Sequence, residues 1–288
     1  MSAIVSEYLD LVDHVAERIP LPAIRALHLP PDTATGKNAE FCALELADGS
    51  VGLSYLWLGY DRAHLRDLLA RAAPTNLDVR SLSRWYGDGE PARRALGFAA
   101  LNAISQHLFA RAGFAPDTAT SSVSLLEPAE GDHVGMIGLF PPLVNRILAT
   151  GARLTVAEMN PRLVRDDGRY RVTLDGRELS ACNKVISTST VLLNDTIDDV
   201  LASCRNARYF GIIGPGAGCL PDPLFARGVS TVGGARVVAR EDLIASVTSG
   251  QRWGNGVEKY CVRPDGYPGA EALLARAAAR GAPERTPA

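Results

Sequence analysis

Apolar residues near the start of the chain recur every three or four positions, as they do on one face of a helix. They are Ile4, Tyr8, Leu11, Val12, Val15 and Ile19. Pro20 and Pro22 predict the end of this helix. Three apolar segments come next, and residues 47–50 (ADGS) between the last two are a strong hairpin signal, so we predict a three-stranded meander. The segments are residues 23–30, 40–49 and 50–58.

Two helices are predicted to follow the meander. Asp61 is typical of an N-cap residue for the first, and the second extends from Glu90 to Ala112, with Ala and Gly on the face that must pack closely. Residues 113–130 lose this periodicity and are rich in Ala, Pro, Asp, Thr and Ser, as in a linker. Strands followed by helices predict an α+β domain over residues 1–115.

From residue 131 onward, apolar strands alternate with helices. Continuous apolar runs without polar alternation are typical of a parallel sheet covered on both faces, so residues 116–268 are predicted to form a Rossmann-like α/β domain. A tail over residues 269–288 begins as a short Ala/Arg helix and then frays. The predicted strands are residues 133–140, 153–159, 183–188, 209–216 and 231–238, and the predicted helices are residues 141–151, 194–205 and 241–249.

The composition agrees with two globular domains and excludes several classes of protein. The chain has 288 residues, enough for about two domains of roughly 150 residues each. Its 30 basic and 32 acidic side chains nearly cancel, so no nucleic-acid partner is expected. The longest apolar runs are about 10 residues, whereas a bilayer span needs about 20. We therefore expect no membrane association and a cytoplasmic location.

The cysteines and histidines form no recognisable disulfide or zinc motif. The five cysteines are an odd number without a C-x-x-C pair, which predicts reduced thiols. The five histidines are equally scattered, so the ligands of any metal must come from distant segments. The cysteines are Cys42, Cys182, Cys204, Cys219 and Cys261.

Ligands bind at the carboxyl ends of the strands in doubly wound sheets, so the turns after the predicted strands are candidate sites. In the first turn, Gly135 and Gly138 stand three apart and do not match G-x-G-x-x-G, and Pro141-Pro142 lacks two N–H donors. Classical binding of NAD or FAD by this turn is therefore disfavoured. The alternative is a rigid turn with Phe140 in the core.

The next two turns are polar. Glu158 lies 20 residues after Gly138, where nucleotide-binding Rossmann domains hold a ribose with an acidic residue. A solvated loop carboxylate is the alternative, because Asn160-Pro161 is itself a turn signal. The third turn begins with four hydroxyl residues, Ser187 to Thr190, and continues with three candidate helix caps. These caps are Asn194, Asp195 and Thr196.

Glycines dominate the fourth turn, which spans residues 211–222. Consecutive backbone N–H groups there can converge as an anion nest that holds a phosphate, a carboxylate or a substrate oxyanion. Cys219 in the same turn is either a small buried hydrophobe or a thiolate. The glycines are Gly211, Gly214, Gly216 and Gly218.

The order and spacing of seven longer motifs resemble one known family. In the first half the motifs are GKNAEFCALELADGSVGLSY (36–55) and ALGFAALNAIS (95–105). In the second half they are VGMIGLFPP (134–142), VAEMNP (156–161), KVISTSTVLLNDT (184–196), IIGPGAGCLPDPLFARGVSTVGGARVV (212–238) and SGQRWG (249–254). In the order and spacing of these motifs the chain resembles the "putative heavy-metal chelation" family, a domain of unknown function. Its members combine a domain similar to the enolase N-terminal fold with a Rossmann-like domain.

The resemblance implies a ligand site in the cleft between the domains that handles a divalent metal ion or a metal chelate. Two positions depart from the family: Asp195 replaces a small or basic residue, and Gly216-Ala217 replaces the Ser or Thr after Gly-Pro. The hydroxyl and glycine turns add Ser189 and Gly216 to the candidate site. The residues that the resemblance implies are Phe140, Pro141, Glu158, Asn160, Thr188, Thr190, Asn194, Thr196, Gly214 and Pro215, with Asn38 and Asn102 from the first domain.

Three functional hypotheses remain open. The first is a protein that binds a small molecule or a metal chelate, in which oxygen-rich side chains favour a hard cation or the carboxylates of a chelator. The second is an enzyme that uses NAD, S-adenosylmethionine or a similar ligand in the same cleft, with Glu158 as general base or ribose ligand. The third is an interaction protein. A homodimer is compatible with the apolar residues of segment 50–58.

Overall fold

The computed structural model describes residues 2–34, 40–56, 62–120, 124–251 and 253–281. The helices are α1 (Ala3–Arg18), α2 (Arg62–Ala72), α3 (Val79–Ser83), α4 (Pro91–Ala112), α5 (Pro141–Leu148), α6 (Ile197–Ser203), α7 (Asp222–Phe225), α8 (Arg240–Ser249) and α9 (Ala270–Gly281). The strands are β1 (Ile24–His28), β2 (Phe41–Leu46), β3 (Val51–Tyr55), β4 (His133–Ile137), β5 (Arg153–Ala157), β6 (Arg165–Asp166), β7 (Arg171–Thr173), β8 (Lys184–Thr188), β9 (Tyr209–Ile213), β10 (Thr231–Val237) and β11 (Val257–Val262).

The first half of the chain forms the predicted helix and meander. Helix α1 buries the expected apolar face, and β1, β2 and β3 pair antiparallel in chain order. In the hairpin turn, Asp48 Oδ1 accepts from the backbone N–H of Ser50 at 3.0 Å, and Gly49 has a φ of +88°. The predicted N-cap Asp61 and the candidate Asn38 lie outside the described residues. The likeness of this unit to the enolase N-terminal fold stays a prediction.

The second half forms an eight-stranded sheet of order β11-β10-β9-β8-β4-β5-β7-β6. Six of its strands are parallel and follow the order 3-2-1-4-5-6 of doubly wound folds, which confirms the predicted α/β class. Three strands were not predicted: the short parallel strand β7, and the two antiparallel strands β6 and β11. The last two stand at the edges of the sheet. Both are edge strands with charged residues, which protect an edge against pairing with another chain and hide the apolar pattern of a strand.

Two predicted strands end earlier than expected, because a glycine with a positive φ follows each of them. Strand β4 ends at Ile137, since Gly138 has a φ of +76°. Strand β9 ends at Ile213, since Gly214 has a φ of +148°. These turns lie at the edge of the sheet where ligands bind in doubly wound folds.

One buried cluster joins the two sheets. It contains Tyr8, Leu44 and Phe98 from the first half and Ile212 and Leu220 from the second half. Helix α9 closes the cluster with the buried side chains of Leu273, Leu274 and Ala277. The domain boundary near residue 115 stays a prediction, and the apolar contact across it is extensive. Within the described part of the chain, no helix has both the length and the apolar character that a membrane span requires.

The buried carboxylate of Glu45 joins the small sheet to helix α8, which follows β10 of the large sheet. Glu45 on β2 is 3% exposed, and its oxygens lie 3.3 Å from Arg25 Nε and 2.9 Å from His28 Nε2 on β1. Arg240 on α8 reaches the same carboxylate at 3.1 Å. A buried charge costs free energy unless it is paired, so these partners specify how β2 lies against α8.

Helix α4 lies so close to β3 and to residues 85–86 that glycine is required at two positions, one on β3 and one on α4 itself. A Cβ at Gly52 on β3 would overlap the Ala99 carbonyl oxygen and the Ala103 nitrogen of α4. A Cβ at Gly97 on α4 would overlap the Tyr86 backbone nitrogen. The obstructing atoms belong to the backbone, so rotamer changes cannot relieve the overlap.

We predict that Gly52→Ala lowers the free energy of unfolding by about 3 kcal/mol, because β3 and α4 must separate. Gly89→Ala is the matched control, because Gly89 is exposed and no atom lies within 4 Å of an added Cβ there. It should change stability by less than about 0.5 kcal/mol. Urea unfolding followed by circular dichroism measures both variants. Equal stabilities would contradict the close approach of α4.

Candidate functional site

The topological switch point of the large sheet lies between β4 and β8. The chain leaves these neighbouring strands in opposite directions, and doubly wound folds bind their ligands in a crevice at this point. The two turns approach closely here: a Cβ added at Gly138 would lie 3.1 Å from Thr188 Cγ2. The turn after β4 and the hydroxyl turn after β8 therefore border the place of this crevice.

The turn after β4 uses its backbone N–H groups internally. Leu139 donates to Glu158 Oε2 at 2.9 Å, and Phe140 donates to Met136 Sδ at 3.4 Å. The next two residues are prolines, and Leu143 and Val144 both donate to the Phe140 carbonyl. Gly138 donates to the carbonyl of Ala157. Every N–H between residues 138 and 144 has an acceptor, so this turn lacks the donors that bind a pyrophosphate in dinucleotide folds.

Glu158 holds the turn in place through its two carboxylate oxygens. It is half-buried, and its Oε1 accepts from the N–H groups of Met159 at 2.8 Å and Asn160 at 3.4 Å. Among the described residues it forms no ion pair. Asn160 is exposed and caps the next turn by accepting from Arg162 N at 3.0 Å. The carboxylate is thus a structural acceptor and an unneutralised negative charge beside the crevice.

The hydroxyl turn after β8 is stabilised by hydrogen bonds among its own residues. Thr188 Oγ1 accepts from the N–H of Thr190 at 3.3 Å and from its hydroxyl at 3.2 Å. The Asn194 side-chain nitrogen faces three acceptors. They are the carbonyls of Thr190 at 3.2 Å and Val191 at 3.3 Å, and Thr196 Oγ1 at 2.6 Å. Asp195 has a left-handed φ of +61°, and its carboxylate lies 3.7 Å from the Arg94 guanidinium of α4.

The glycine turn after β9 packs against its neighbours. The N–H groups of Gly214 and Ala217 donate to backbone carbonyls. A Cβ at Gly214 would overlap Ser189 Oγ and lie 3.2 Å from Ser189 Cβ. The Gly216 carbonyl accepts from Asn102 Nδ2 of α4 at 3.0 Å. Close packing therefore explains Gly214 and Gly216, and the anion nest stays a prediction.

Asn102 occupies the interior between the sheets. It is fully buried, and its Nδ2 donates to the Leu53 carbonyl of β3 at 2.7 Å as well as to Gly216. It positions the small sheet above the strand ends and has no surface on which to contact a ligand. The other described candidates lie along the strand ends. Phe140, Glu158, Thr188, Thr190, Asn194, Thr196, Gly214 and Pro215 are half-buried, Pro141 and Asn160 are exposed, and Ser189 and Gly216 are buried.

Tyr55 at the end of β3 is a partly buried phenol that sequence reasoning did not single out. Burial first, and then the negative charges of Glu40 and Glu158, raise its pKa to about 12. The phenol is therefore a protonated donor at neutral pH. Its only signal in the sequence is an aromatic residue within the third predicted segment, residues 50–58.

Two open cavities lie elsewhere on the described surface. One, of about 310 Å³, is lined by residues that include Asp48, Gln106, Phe114 and Arg236. The other, of about 430 Å³, lies beside Arg177 and Asp199. Neither cavity is lined by a residue that the sequence placed in the candidate site.

Residues 122–263 match the model of the DUF364 family, described as "Putative heavy-metal chelation". This part of the chain belongs to that family. DUF364 proteins of unknown function from Desulfitobacterium hafniense and Pyrococcus horikoshii superpose with TM-scores of 0.67 and 0.64, at 20% and 18% identity. Each alignment covers 90% of this chain and 99% of the other, and at these identities it establishes a shared fold.

An uncharacterized protein of Methanocaldococcus jannaschii is 29% identical over 146 residues. The match covers 50% of this chain and 55% of that protein, so it spans about half of the relative's length.

The side chains of this protein do not suit a bare thiophilic metal ion. All five cysteines are buried, and burial raises the pKa of Cys42 and Cys204 to about 12 and that of Cys182 and Cys219 to about 11. Burial also raises the pKa of Cys261. Thiolates bind such metals, and these thiols are protonated at neutral pH. Within the described residues, no group of three or more His, Cys, Asp or Glu side chains could hold an ion.

We predict that no thiol of the native protein reacts with Ellman's reagent at neutral pH within minutes, and that all five react in urea. Because each pKa is raised, the thiolate fraction of every cysteine grows only in strongly alkaline solution. The native protein should also develop no cadmium–thiolate charge-transfer absorption. Stoichiometric reaction of one native thiol would contradict the burial described here.

A second prediction concerns Gly214 and Ser189. Gly214→Ala should lower the free energy of unfolding by about 2–3 kcal/mol, through its positive φ and its overlap with Ser189 Oγ. Ser189→Ala in the same chain should recover part of this loss, because it removes the obstructing oxygen and leaves the backbone strain. Gly176→Ala is the control, since an added Cβ there meets no atom within 4 Å. Strictly additive effects in a double-mutant cycle would refute this contact.

Proposed function

We propose that this protein binds a small polar ligand, free or as a metal chelate, in the crevice between the ends of β4 and β8. The observation that carries the proposal is the position of the Glu158 carboxylate beside the switch point of a 3-2-1-4-5-6 sheet, without an ion-pair partner among the described residues. Ligands of doubly wound folds bind at this point of the sheet. The strand ends of the large sheet and Tyr55 of the small sheet would form opposite walls of the site.

The Glu158 carboxylate can accept further hydrogen bonds from a ligand. A carboxylate offers about four lone-pair positions, and three N–H groups occupy some of them at 2.8, 2.9 and 3.4 Å. Its negative charge favours a ligand that carries positive charge or donates hydrogen bonds. The hydroxyls of Thr188 and Thr190 and the phenol of Tyr55 add neutral polar groups, and Met159, which is 72% exposed, adds apolar surface.

A chelate suits this site better than a bare heavy-metal ion. The buried, protonated thiols cannot supply soft ligands, so a metal would have to arrive with its own ligands. Recognition would then act on the charge and shape of the complex, and the family description supports a metal-bearing ligand. The proposal does not extend to NAD, because the turn after β4 has no N–H left for a pyrophosphate. The cytoplasmic location and the homodimer stay predictions.

Calorimetric titration with Co²⁺, Ni²⁺ and Zn²⁺, each as the free ion and as its ethylenediamine chelate, which keeps the positive charge of the ion, tests the proposal. We expect binding of at least one chelate, and Glu158→Gln should weaken it by about tenfold, the loss typical of one charged contact. Glu241→Gln on α8 is the matched control, because that carboxylate is 92% exposed and its helix follows β10, two strands away from β8. It should bind like the native protein.

Two results would contradict this function. One is the absence of heat and of any thermal shift with every probe, since a ligand at 100 times its dissociation constant adds about 2.7 kcal/mol of stability. The other is unchanged affinity in a folded Glu158→Gln protein. Thermal unfolding of the variant verifies that it is folded.

A further inference from the structure

The open cavity of about 310 Å³ lies between α4, the hairpin turn of the small sheet and β10. None of the described residues that line it belongs to the candidate site at the ends of β4 and β8. Pockets for small molecules begin at about 300 Å³, so this volume suits a ligand of modest size. We call this space the hairpin cavity.

Two aromatic rings form an apolar wall of the hairpin cavity. Phe109 lies near the end of α4 and Phe114 follows this helix, and their ring centroids are 5.2 Å apart. Phe109 is buried, and Phe114 is half-buried. Val51 of β3 and Val237 of β10 add further apolar lining. A ligand with an apolar part would remove water from this wall, which favours binding.

Arg236 on β10 brings a positive charge to the same cavity. Its Nε and Nη2 both donate to one oxygen of Glu258, its cross-strand partner on β11, at 2.9 and 2.6 Å. Its Nη1 has no acceptor among the described residues. Both side chains are partly exposed, and an ion pair of this kind adds little stability. The guanidinium can therefore accommodate a second carboxylate.

Asp48 in the hairpin turn brings the opposite charge. Its carboxylate accepts from Ser50 N at 3.0 Å and Ser50 Oγ at 2.9 Å, and it lies 2.7 Å from His107 Nδ1. Burial would raise the pKa of Asp48, but the hydrogen bonds from His107 and Ser50 outweigh burial and lower it. The carboxylate is therefore ionised at neutral pH and held in a fixed place.

Gln106 on α4 offers an acceptor to the same cavity. Its Nε2 donates to the Gly218 carbonyl at 2.9 Å, which fixes the orientation of the amide. Its Oε1 has no donor within the part of the chain that the structure describes. The hairpin cavity thus combines a guanidinium, a carboxylate, an amide oxygen and an aromatic wall.

We propose that the hairpin cavity binds a small zwitterion with an apolar side chain, which is the chemistry of an apolar α-amino acid. Its carboxylate would pair with Arg236, its ammonium group would donate to Asp48 and Gln106, and its side chain would pack on the aromatic wall. A zwitterion pairs both charges of the cavity, whereas a simple anion or cation leaves one of them desolvated without a partner. This site is separate from the crevice and does not depend on the function proposed for it.

Calorimetric titration with L-phenylalanine, 2-phenylethylamine and 3-phenylpropanoate tests the class of ligand. The three probes share the phenyl group and its two-carbon chain, but the amine lacks the carboxylate and the acid lacks the ammonium group. We expect phenylalanine to bind at least about tenfold more tightly than either, the effect of one hydrogen-bonded charge.

Two variants change the charge at Arg236 in opposite directions. Arg236→Gln should weaken the binding of phenylalanine by about tenfold, because the partner of the carboxylate is lost. Glu258→Gln should strengthen it, because this variant removes the carboxylate that competes for the guanidinium. Arg171→Gln is the matched control, since Arg171 also lies on a strand and pairs with a glutamate, Glu178, at 2.7 Å. It should bind like the native protein.

Three results would overturn the inference. One is the absence of binding by all three probes at millimolar concentration. Another is a single-charge probe that binds as tightly as phenylalanine, because the ligand is then not a zwitterion. The third is unchanged affinity in an Arg236→Gln protein whose thermal unfolding shows that it is folded. Glu158→Gln should leave the binding of phenylalanine unchanged, so failure here and failure of the proposed function are distinguishable.

Discussion

Helix α4 touches strand β3 backbone to backbone at Gly52, and the relation between the two sheets depends on this contact. The close approach carries Asn102 to a point where one amide nitrogen donates to the Leu53 carbonyl of β3 and to the Gly216 carbonyl of the turn after β9. A side chain one methylene longer, as in glutamine, or a wider helix–strand spacing would break one of these bonds. The small sheet is thereby fixed beside the glycine turn at the carboxyl end of β9.

The turn after β4 explains why this doubly wound sheet differs from dinucleotide-binding ones. Pro141 and Pro142 begin α5 without N–H groups, and Glu158 accepts the N–H of Leu139 that a phosphate would otherwise use. A negative carboxylate therefore occupies the place of an anion site. A negative charge at this place would favour a ligand that carries positive charge, as the proposed function requires.

Features encoded by neighbouring residues were predictable from the sequence. The hairpin at Asp48-Gly49, the helix face of α1 and the apolar parallel strands all depend on local spacing, and the structure confirms them. Features that depend on distant partners were not. Gly214 resembles part of an anion nest until Ser189, 25 positions earlier, is seen against it. The acceptors of Asn102 lie 49 and 114 positions away, and the partners of the Glu45 carboxylate include Arg240 from the other half of the chain.

The central claim is that the ligand lies at the switch point between β4 and β8. Paramagnetic broadening of backbone amide signals by the cationic tris(ethylenediamine) chelate of Cr³⁺, recorded on the isotope-labelled protein, locates the bound ligand directly. We expect the signals of Gly138, Glu158 and Thr188 to broaden first and the diamagnetic tris(ethylenediamine) chelate of Co³⁺ to compete for the effect. Broadening centred on Asp48, Gln106 and Arg236, at the cavity beside the hairpin turn, would contradict it.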